Sequence, residues 1–191
     1  LTLPVQASDE TTAAYTARII RDSQEQGKKA AERGTAIHAA VQGAYEGRAP
    51  ALEYERHVNA VAASLLEKFV PQKVWVAEQS FAHQLGYGGK TDLHSPGTAG
   101  AVIDFKTKEF GADSTKRLAW DEHRMQLAAC REGLGMPTAH CANVFISVSE
   151  PGLVVVHVWP ENELQEAWRM FAALLAYWQA KNSHNPTGET V

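Results

Sequence analysis

The order of hydrophobic patterns along this chain predicts an α/β fold: a central mixed β-sheet of about five strands flanked by helices. Three observations carry that expectation. Two helical periodicities open the sequence and one closes it, five short segments of strand character lie between them, and a further helical segment separates the third strand from the fourth. The resulting order is α-α-β-β-β-α-β-β-α, and a helix crossing from the third strand to the fourth fits such a sheet. With 191 residues, 45% of them hydrophobic, the chain can bury a real core. It is read as one domain over 1–191, with N-terminal helices over 9–70 and a core over about 73–160.

The first helix spans 9–46, with Ser8 and Asp9 as caps and a break expected near Gly27; its second half places Ile37, Ala40, Val41, Ala44 and Tyr45 at helical spacing. Gly47 and Pro50 end it. Residues 52–70 form a clearer amphipathic helix, with Val58, Val61, Ala62, Leu65 and Phe69 on one face and Pro71 as its stop. The period then changes. Strands are expected over 73–81, 87–94 and 101–108, separated by turn signals at 84–86 and 95–100. A helix over about 117–134 carries Trp120, His123, Leu127, Cys130 and Leu134 on one stripe, and Gly135 and Pro137 close it. Strands over 141–148 and 153–159 follow. The last helix, about 161–181, has the strongest apolar face, built from Leu164, Ala167, Trp168, Phe171, Leu174, Leu175 and Trp178. From Asn182 onward the sequence is polar.

Composition excludes several classes of protein. With 18 Lys+Arg against 22 Asp+Glu, the formal net charge is −4, so this is not a bulk-basic nucleic-acid binder, although a local basic patch remains open. Cys130 and Cys141 are the only cysteines, too few for a disulfide framework or a four-thiolate cluster. No apolar run approaches the ~20 residues of a membrane span, and no signal-peptide pattern opens the sequence. The expected setting is cytoplasmic and reducing, away from membranes.

The informative stretch runs from Glu78 to Lys108. In an antiparallel hairpin the turn centre fixes which positions face each other. With the second turn centred on residue 98, Asp92 faces Asp104; with the first centred on residue 85, Glu78 faces Asp92. Three carboxylates would then form one row across the meander, unless Gly88–Gly89 is a bulge that shifts the register. Strand alternation puts Ile103 and Phe105 on a core face, and Asp104 and Lys106 together on the other. Clustered carboxylates repel, so they either hold protons or recruit a cation. Hard oxygen ligands suit Mg²⁺ or Mn²⁺, and such a metal can activate water beside a phosphoryl group with a lysine in support.

These residues resemble the PD-(D/E)XK nuclease superfamily, specifically its RecB-type exonuclease branch. Gly86-Tyr-Gly-Gly-Lys-Thr-Asp92 resembles the branch's glycine-x-Asp strand, and Val102-Ile-Asp104-Phe-Lys106-Thr-Lys108 its Asp-x-Lys strand. Upstream, Arg33-Gly34-Thr-Ala-Ile-His38 resembles the helix that supplies a metal-binding histidine; downstream, Gln126-Leu-Ala-Ala-Cys130 resembles a Gln-x-x-x-Tyr helix. The four motifs occur in the family's order and cover about residues 30–135.

The resemblance implies a restriction-endonuclease-like core and a metal-dependent DNA nuclease, an exonuclease acting on ends or single strands in recombination or repair, with a protein of those processes as a partner. It implies one or two Mg²⁺ or Mn²⁺ ions held by His38, Glu78, Asp92, Asp104 and the Phe105 carbonyl, Lys106 as the catalytic lysine, and Gln126 contacting DNA or bracing the site. Some relatives carry an iron–sulfur cluster; two cysteines cannot build one. Cys130 stands where the family has tyrosine, which puts the phosphate-positioning role of that helix in doubt. Among the basic residues near these motifs (Lys28, Lys29, Arg33, Lys108, Lys116, Arg117, Arg124 and Arg131), Lys108 and Arg124 are candidate DNA contacts. Trp120 is the candidate for base stacking, whereas Trp75, Trp159, Trp168 and Trp178 lie on core-like patterns. Two other readings stay open: a catalytically silent module that binds nucleic acid or a protein, and a structure-specific endonuclease.

Overall fold

The computed structural model describes residues 5–70, 74–97 and 100–186. Helix α1 (Thr12–Tyr45) is followed by a 3₁₀ turn (Leu52–Tyr54), α2 (Glu55–Lys68), and the strands β1 (Val76–His83), β2 (Tyr87–Ser95) and β3 (Ala101–Lys108). Then come α3 (Asp121–Gly133), β4 (His140–Ser147), β5 (Val154–Trp159) and α4 (Glu161–Lys181). The five strands form one sheet in the order β1-β2-β3-β4-β5. All neighbours are antiparallel except β3 and β4, which α3 connects as a parallel pair. This is the mixed, helix-flanked sheet expected from the sequence.

Three boundaries differ from expectation, each for a local reason. Helix α1 passes through Gly27 without a break, and its cap is Thr11, whose Oγ1 accepts the Ala14 N–H at 3.2 Å. A mid-helix glycine costs roughly 0.5–1 kcal/mol. Its neighbours Gln24, Glu25, Gln26, Lys28, Lys29, Ala30 and Ala31 are all good helix formers, so continuing through the glycine costs less than exposing two new helix ends. The second helix opens with the 3₁₀ turn instead of a regular α-turn. Helix α3 begins at Asp121, several residues after 117, because Trp120 is extended and serves as the N-cap. Its backbone N–H donates to His123 Nδ1 at 3.0 Å. Pro71, the expected helix stop, and Lys73, the expected start of the first strand, lie outside the described residues, as does the turn centre at 98 and the tail beyond 186.

Both faces of the sheet are covered. Helices α1 and α2 bring Ile37, Val41, Val61 and Leu65 against Leu93, Ile103, Phe105 and Val144. On the other face, Leu127 of α3 and Leu164 of α4 pack with Val102, Cys141 and Trp159. Asp104 shares its face with Val102, so it points into a second core and not toward solvent. The paired glycines make no bulge, since Phe81↔Gly89 and Ala82↔Gly88 keep the register. Gly89 instead leaves room for the Phe81 ring, which a Cβ there would approach to 2.8 Å. Trp178, expected in the core, is 50% exposed. Among the described residues, no helix is long and apolar enough to cross a membrane.

The buried imidazoles His57 and His123 make the fold acid-sensitive. Burial, the largest influence on each, holds both below the ordinary imidazole range. His57 Nδ1 has no hydrogen-bond partner, and His123 Nδ1 must stay unprotonated to accept from Trp120. The unfolded chain therefore binds protons at these sites more readily than the folded one. Their contribution is intact above the unfolded value of about 6.5 and is lost as the pH falls through it. His94 and His157 are lowered in the same way, and together the four outnumber His38, whose raised value acts in the opposite sense, so the melting temperature should drop between about pH 7.5 and about pH 5.5, a range that brackets the imidazole titration. His57→Phe should flatten that drop, and a wild-type melting temperature that is constant over this range would contradict it.

Candidate active site

The β2–β3 ladder pairs Ser95 with Ala101, His94 with Val102 and Leu93 with Ile103, and then stops. The next positions in that register are Asp92 and Asp104, so the two carboxylates sit where the strands part. Asp92 Oδ2 accepts the Phe105 N–H at 2.7 Å, a side-chain oxygen standing in for the main-chain carbonyl that a continued ladder would supply. His38 reaches the same oxygen from α1, with Nε2 at 3.2 Å. The contact with Asp92 is the main influence that raises the His38 pKa above its ordinary value, against an opposing effect of burial.

Asp104 is 5% exposed, and both of its oxygens accept hydrogen bonds, two at Oδ1 and one at Oδ2. Oδ1 accepts from Lys106 Nζ at 2.7 Å and from Gln126 Nε2 at 2.8 Å, while Oδ2 accepts from Asn143 Nδ2 at 2.7 Å. Lys106 Nζ also donates to Gln126 Oε1 at 3.0 Å, closing a triangle of three side chains from β3 and α3. Burial is the largest influence on Asp104 and pushes its carboxyl above the usual range; the Lys106 ammonium opposes that shift and the charge on Asp92 adds to it. An ammonium held between a carboxylate and an amide, one residue along the strand from a backbone carbonyl, can orient a water or meet a developing negative charge.

The structure thus brings together His38, Asp92, Asp104, Phe105, Lys106 and Gln126. The other candidates are engaged elsewhere. The expected register for Glu78 is kept on both sides of it, by Ala77↔Leu93 and Gln79↔Thr91. Glu78 itself drops out of the ladder with φ +58°, a rare value for a non-glycine residue, and its carboxylate ion-pairs with Lys90. Lys108 Nζ donates to the Leu118 carbonyl at 3.2 Å and lies over the Phe145 ring. Arg124 bridges α3 to α4 through Asp121 and Glu166. Arg131 is buried against Glu161. Lys28 and Lys29 have Glu32 and Glu25 within ion-pair distance. Trp120 is partly exposed, with the Arg117 guanidinium 4.7 Å over its ring.

Asn143 was not anticipated from the sequence. A signal for it existed: it is the lone amide within the apolar run Cys141–Ala142–Asn143–Val144–Phe145–Ile146, and a crossover between the third and fourth strands sets it beside Asp104. Burial pushes the Cys130 thiol up to about 12, helped by the charges on Asp104 and Asp92, so it is no nucleophile at neutral pH. Two grooves flank the cluster. One of about 610 Å³ runs past His38, Gly34, Thr107 and Lys108; the other, about 790 Å³, is lined by Gln126, Cys130, Tyr87, Phe81, Lys90 and Trp178. Among the described residues, no three His, Cys, Asp or Glu side chains form a group that could hold a metal ion.

No family model matches this sequence, and no curated protein matches it. Among solved structures, the chain is similar to one named a "putative exonuclease" from Eubacterium rectale. That match has a TM-score of 0.50 and 14% identity, covering 80% of this chain and 69% of the other. A weaker likeness, to SSO0001, has a TM-score of 0.37 at 16% identity over 61% of this chain and 56% of that one. At such identity the first match establishes a shared fold.

Proposed function

We propose that this protein is a metal-dependent deoxyribonuclease of the PD-(D/E)XK type that degrades DNA from ends or in single strands, in a recombination or repair setting and with a protein partner from it. The observation that carries this reading is the cluster at the parting of β2 and β3: Asp92 and Asp104 at the next register positions, with Lys106 fixed between Asp104 and Gln126. The likeness in fold to the Eubacterium rectale protein agrees with it.

The donor set fits Mg²⁺ or Mn²⁺. Two carboxylates, one imidazole and a backbone carbonyl are hard or intermediate ligands, and Mg²⁺ is commonly held by one or two carboxylates together with substrate phosphate and water, without an all-protein cage. As placed, His38, Asp92 and Asp104 do not form a three-ligand group, so Asp92, Asp104 and the Phe105 carbonyl would hold the ion with water and substrate phosphate completing its shell; His38 and Glu78 would join only by leaving Asp92 and Lys90. When bound, the metal supplies a lowered pKa for water and charge stabilisation at the phosphate. The chain's own residues do the rest. Asp104 fixes the Lys106 ammonium by a 2.7 Å hydrogen bond, Gln126 holds both of them, and the Nζ of Lys106 orients the attacking water or meets the charge that develops on the phosphoryl oxygens.

Cleavage of 5′- and 3′-labelled linear DNA, single-stranded and duplex, tests this directly, with circular DNA as a control and Mg²⁺, Mn²⁺ or EDTA present. The expected result is metal-dependent loss of the linear substrates, none in EDTA and none with Asp104→Ala. Cutting of circles would reassign the enzyme as an endonuclease. Metal binding without cleavage of any substrate would make it a silent nuclease-like module.

A further inference from the structure

The buried side of Asp104 is as ordered as its open side. Asn143, fully buried, lies opposite Asp104 in the parallel β3–β4 register. Its Nδ2 donates to Asp104 Oδ2 at 2.7 Å. An amide has a donor end and an acceptor end, and which end faces the carboxylate must be decided by something else. Here that is Trp159 of β5, also buried, whose Nε1 donates to Asn143 Oδ1 at 2.7 Å. The indole N–H can only donate, so it fixes the amide with its oxygen toward β5 and its NH₂ toward Asp104. The His157 ring stands edge-on to the Trp159 ring with centroids 4.3 Å apart, which restrains the indole.

We infer that Asn143 and Trp159 are positioning residues for Asp104: a one-way chain of donors, running from β5 through β4 to β3, that sets the orientation of the carboxylate in the cleavage site. The inference rests on the nuclease reading above. Without the chain, Asp104 would be held only from the Lys106 and Gln126 side, and its second oxygen would be buried without a donor. With it, one edge of the carboxylate is fixed before metal or DNA arrives. Supporting hydrogen bonds of this kind typically change metal affinity or activity about 10- to 100-fold when removed.

Trp159→Phe removes the indole N–H and keeps an aromatic ring at 159. Asn143→Asp keeps the volume and the acceptor for Trp159 but replaces the amide donor by a second carboxyl, which must either repel Asp104 or share a proton with it. For both variants and the wild type, three measurements are compared: Mn²⁺ affinity by calorimetry, kcat and KM on linear DNA, and the melting curve. The expected outcome is a roughly 10- to 100-fold loss in Mn²⁺ affinity and kcat at unchanged KM for DNA, larger for Asn143→Asp. Trp159→Phe should retain a cooperative melt. Its binding Mn²⁺ and cutting DNA as the wild type does would overturn the inference, and so would a rise in KM alone. A wild type that cuts nothing in any metal would overturn the nuclease reading, and this inference with it, and the wild-type arm reveals that case separately.

Discussion

Lys106→Met should leave a folded protein and, on the proposed nuclease reading, lower its DNA cleavage by about 10²–10⁴-fold, the range expected when a group handling a proton or a developing charge is lost. The side chain of Lys106 is 26% exposed, and methionine is an unbranched side chain of similar length, so it keeps most of the packing while deleting the ammonium. Asp104 then keeps its hydrogen bonds from Gln126 and Asn143, and burial already favours its protonated form, so the cost to stability should be modest, about 1–3 kcal/mol for the lost charged hydrogen bond. A melting curve and a gel assay on linear DNA check both halves. Lys106→Arg separates two roles for the lysine. Arginine keeps the positive charge but cannot give up its proton, so residual activity would favour charge stabilisation and complete loss would favour water activation. Wild-type rates in Lys106→Met would remove the cluster from the chemistry altogether.

Most of the fold was legible because period and punctuation agree. The change from helical to alternating spacing after Phe69 marks a real element boundary, whereas the return to helical spacing, expected at about 117, comes only at Asp121. The register of the β1–β2–β3 meander was also legible, because the two turns confine it: Gln79 does face Thr91, and Leu93 does face Ile103. Alternation could not show that the ladder ends one pair before Asp92 and Asp104. Nor could it show that Asp92 spends an oxygen on the Phe105 N–H, since that depends on how far the strands diverge. Alternation puts Asp104 and Lys106 on the face opposite the Ile103–Phe105 core; that α3 and α4 cover this second face too is revealed only by the packing of Leu127 and Leu164. The ion-pair partners of the basic residues are hidden in the sequence for a related reason. Arg124, a candidate DNA contact, and the nearby Arg131 pair with Glu166 and Glu161, which lie on another helix far along the sequence. Asn143 escaped notice because its role exists only once a crossover puts β4 beside β3.

Gly34→Val should uncouple His38 from Asp92 without touching either residue. At Gly34, α1 runs close to Thr107 of β3: a Cβ built on the glycine would lie 2.6 Å from Thr107 Oγ1, closer than real contacts allow. Turning Thr107 could relieve a single methyl, but the two γ-methyls of valine would meet its Cβ as well, leaving α1 to move outward. His38 is one helical turn further along the same face, so the movement widens its 3.2 Å contact with Asp92. The expected result is a stability loss of about 1–3 kcal/mol from overpacking, offset by a few tenths from replacing a helical glycine, with a fall in metal-dependent cleavage. Thr107→Ala in the same chain frees the space and should restore part of both. The coupling between the two sites, about 0.5–3 kcal/mol for residues in contact, is read from melting curves of the two single variants and the double. Strict additivity, or a Gly34→Val protein that melts and cuts like the wild type, would mean that the helix is held by its apolar face alone. In that case the spacing from Gly34 to His38 would not be what delivers the imidazole to Asp92.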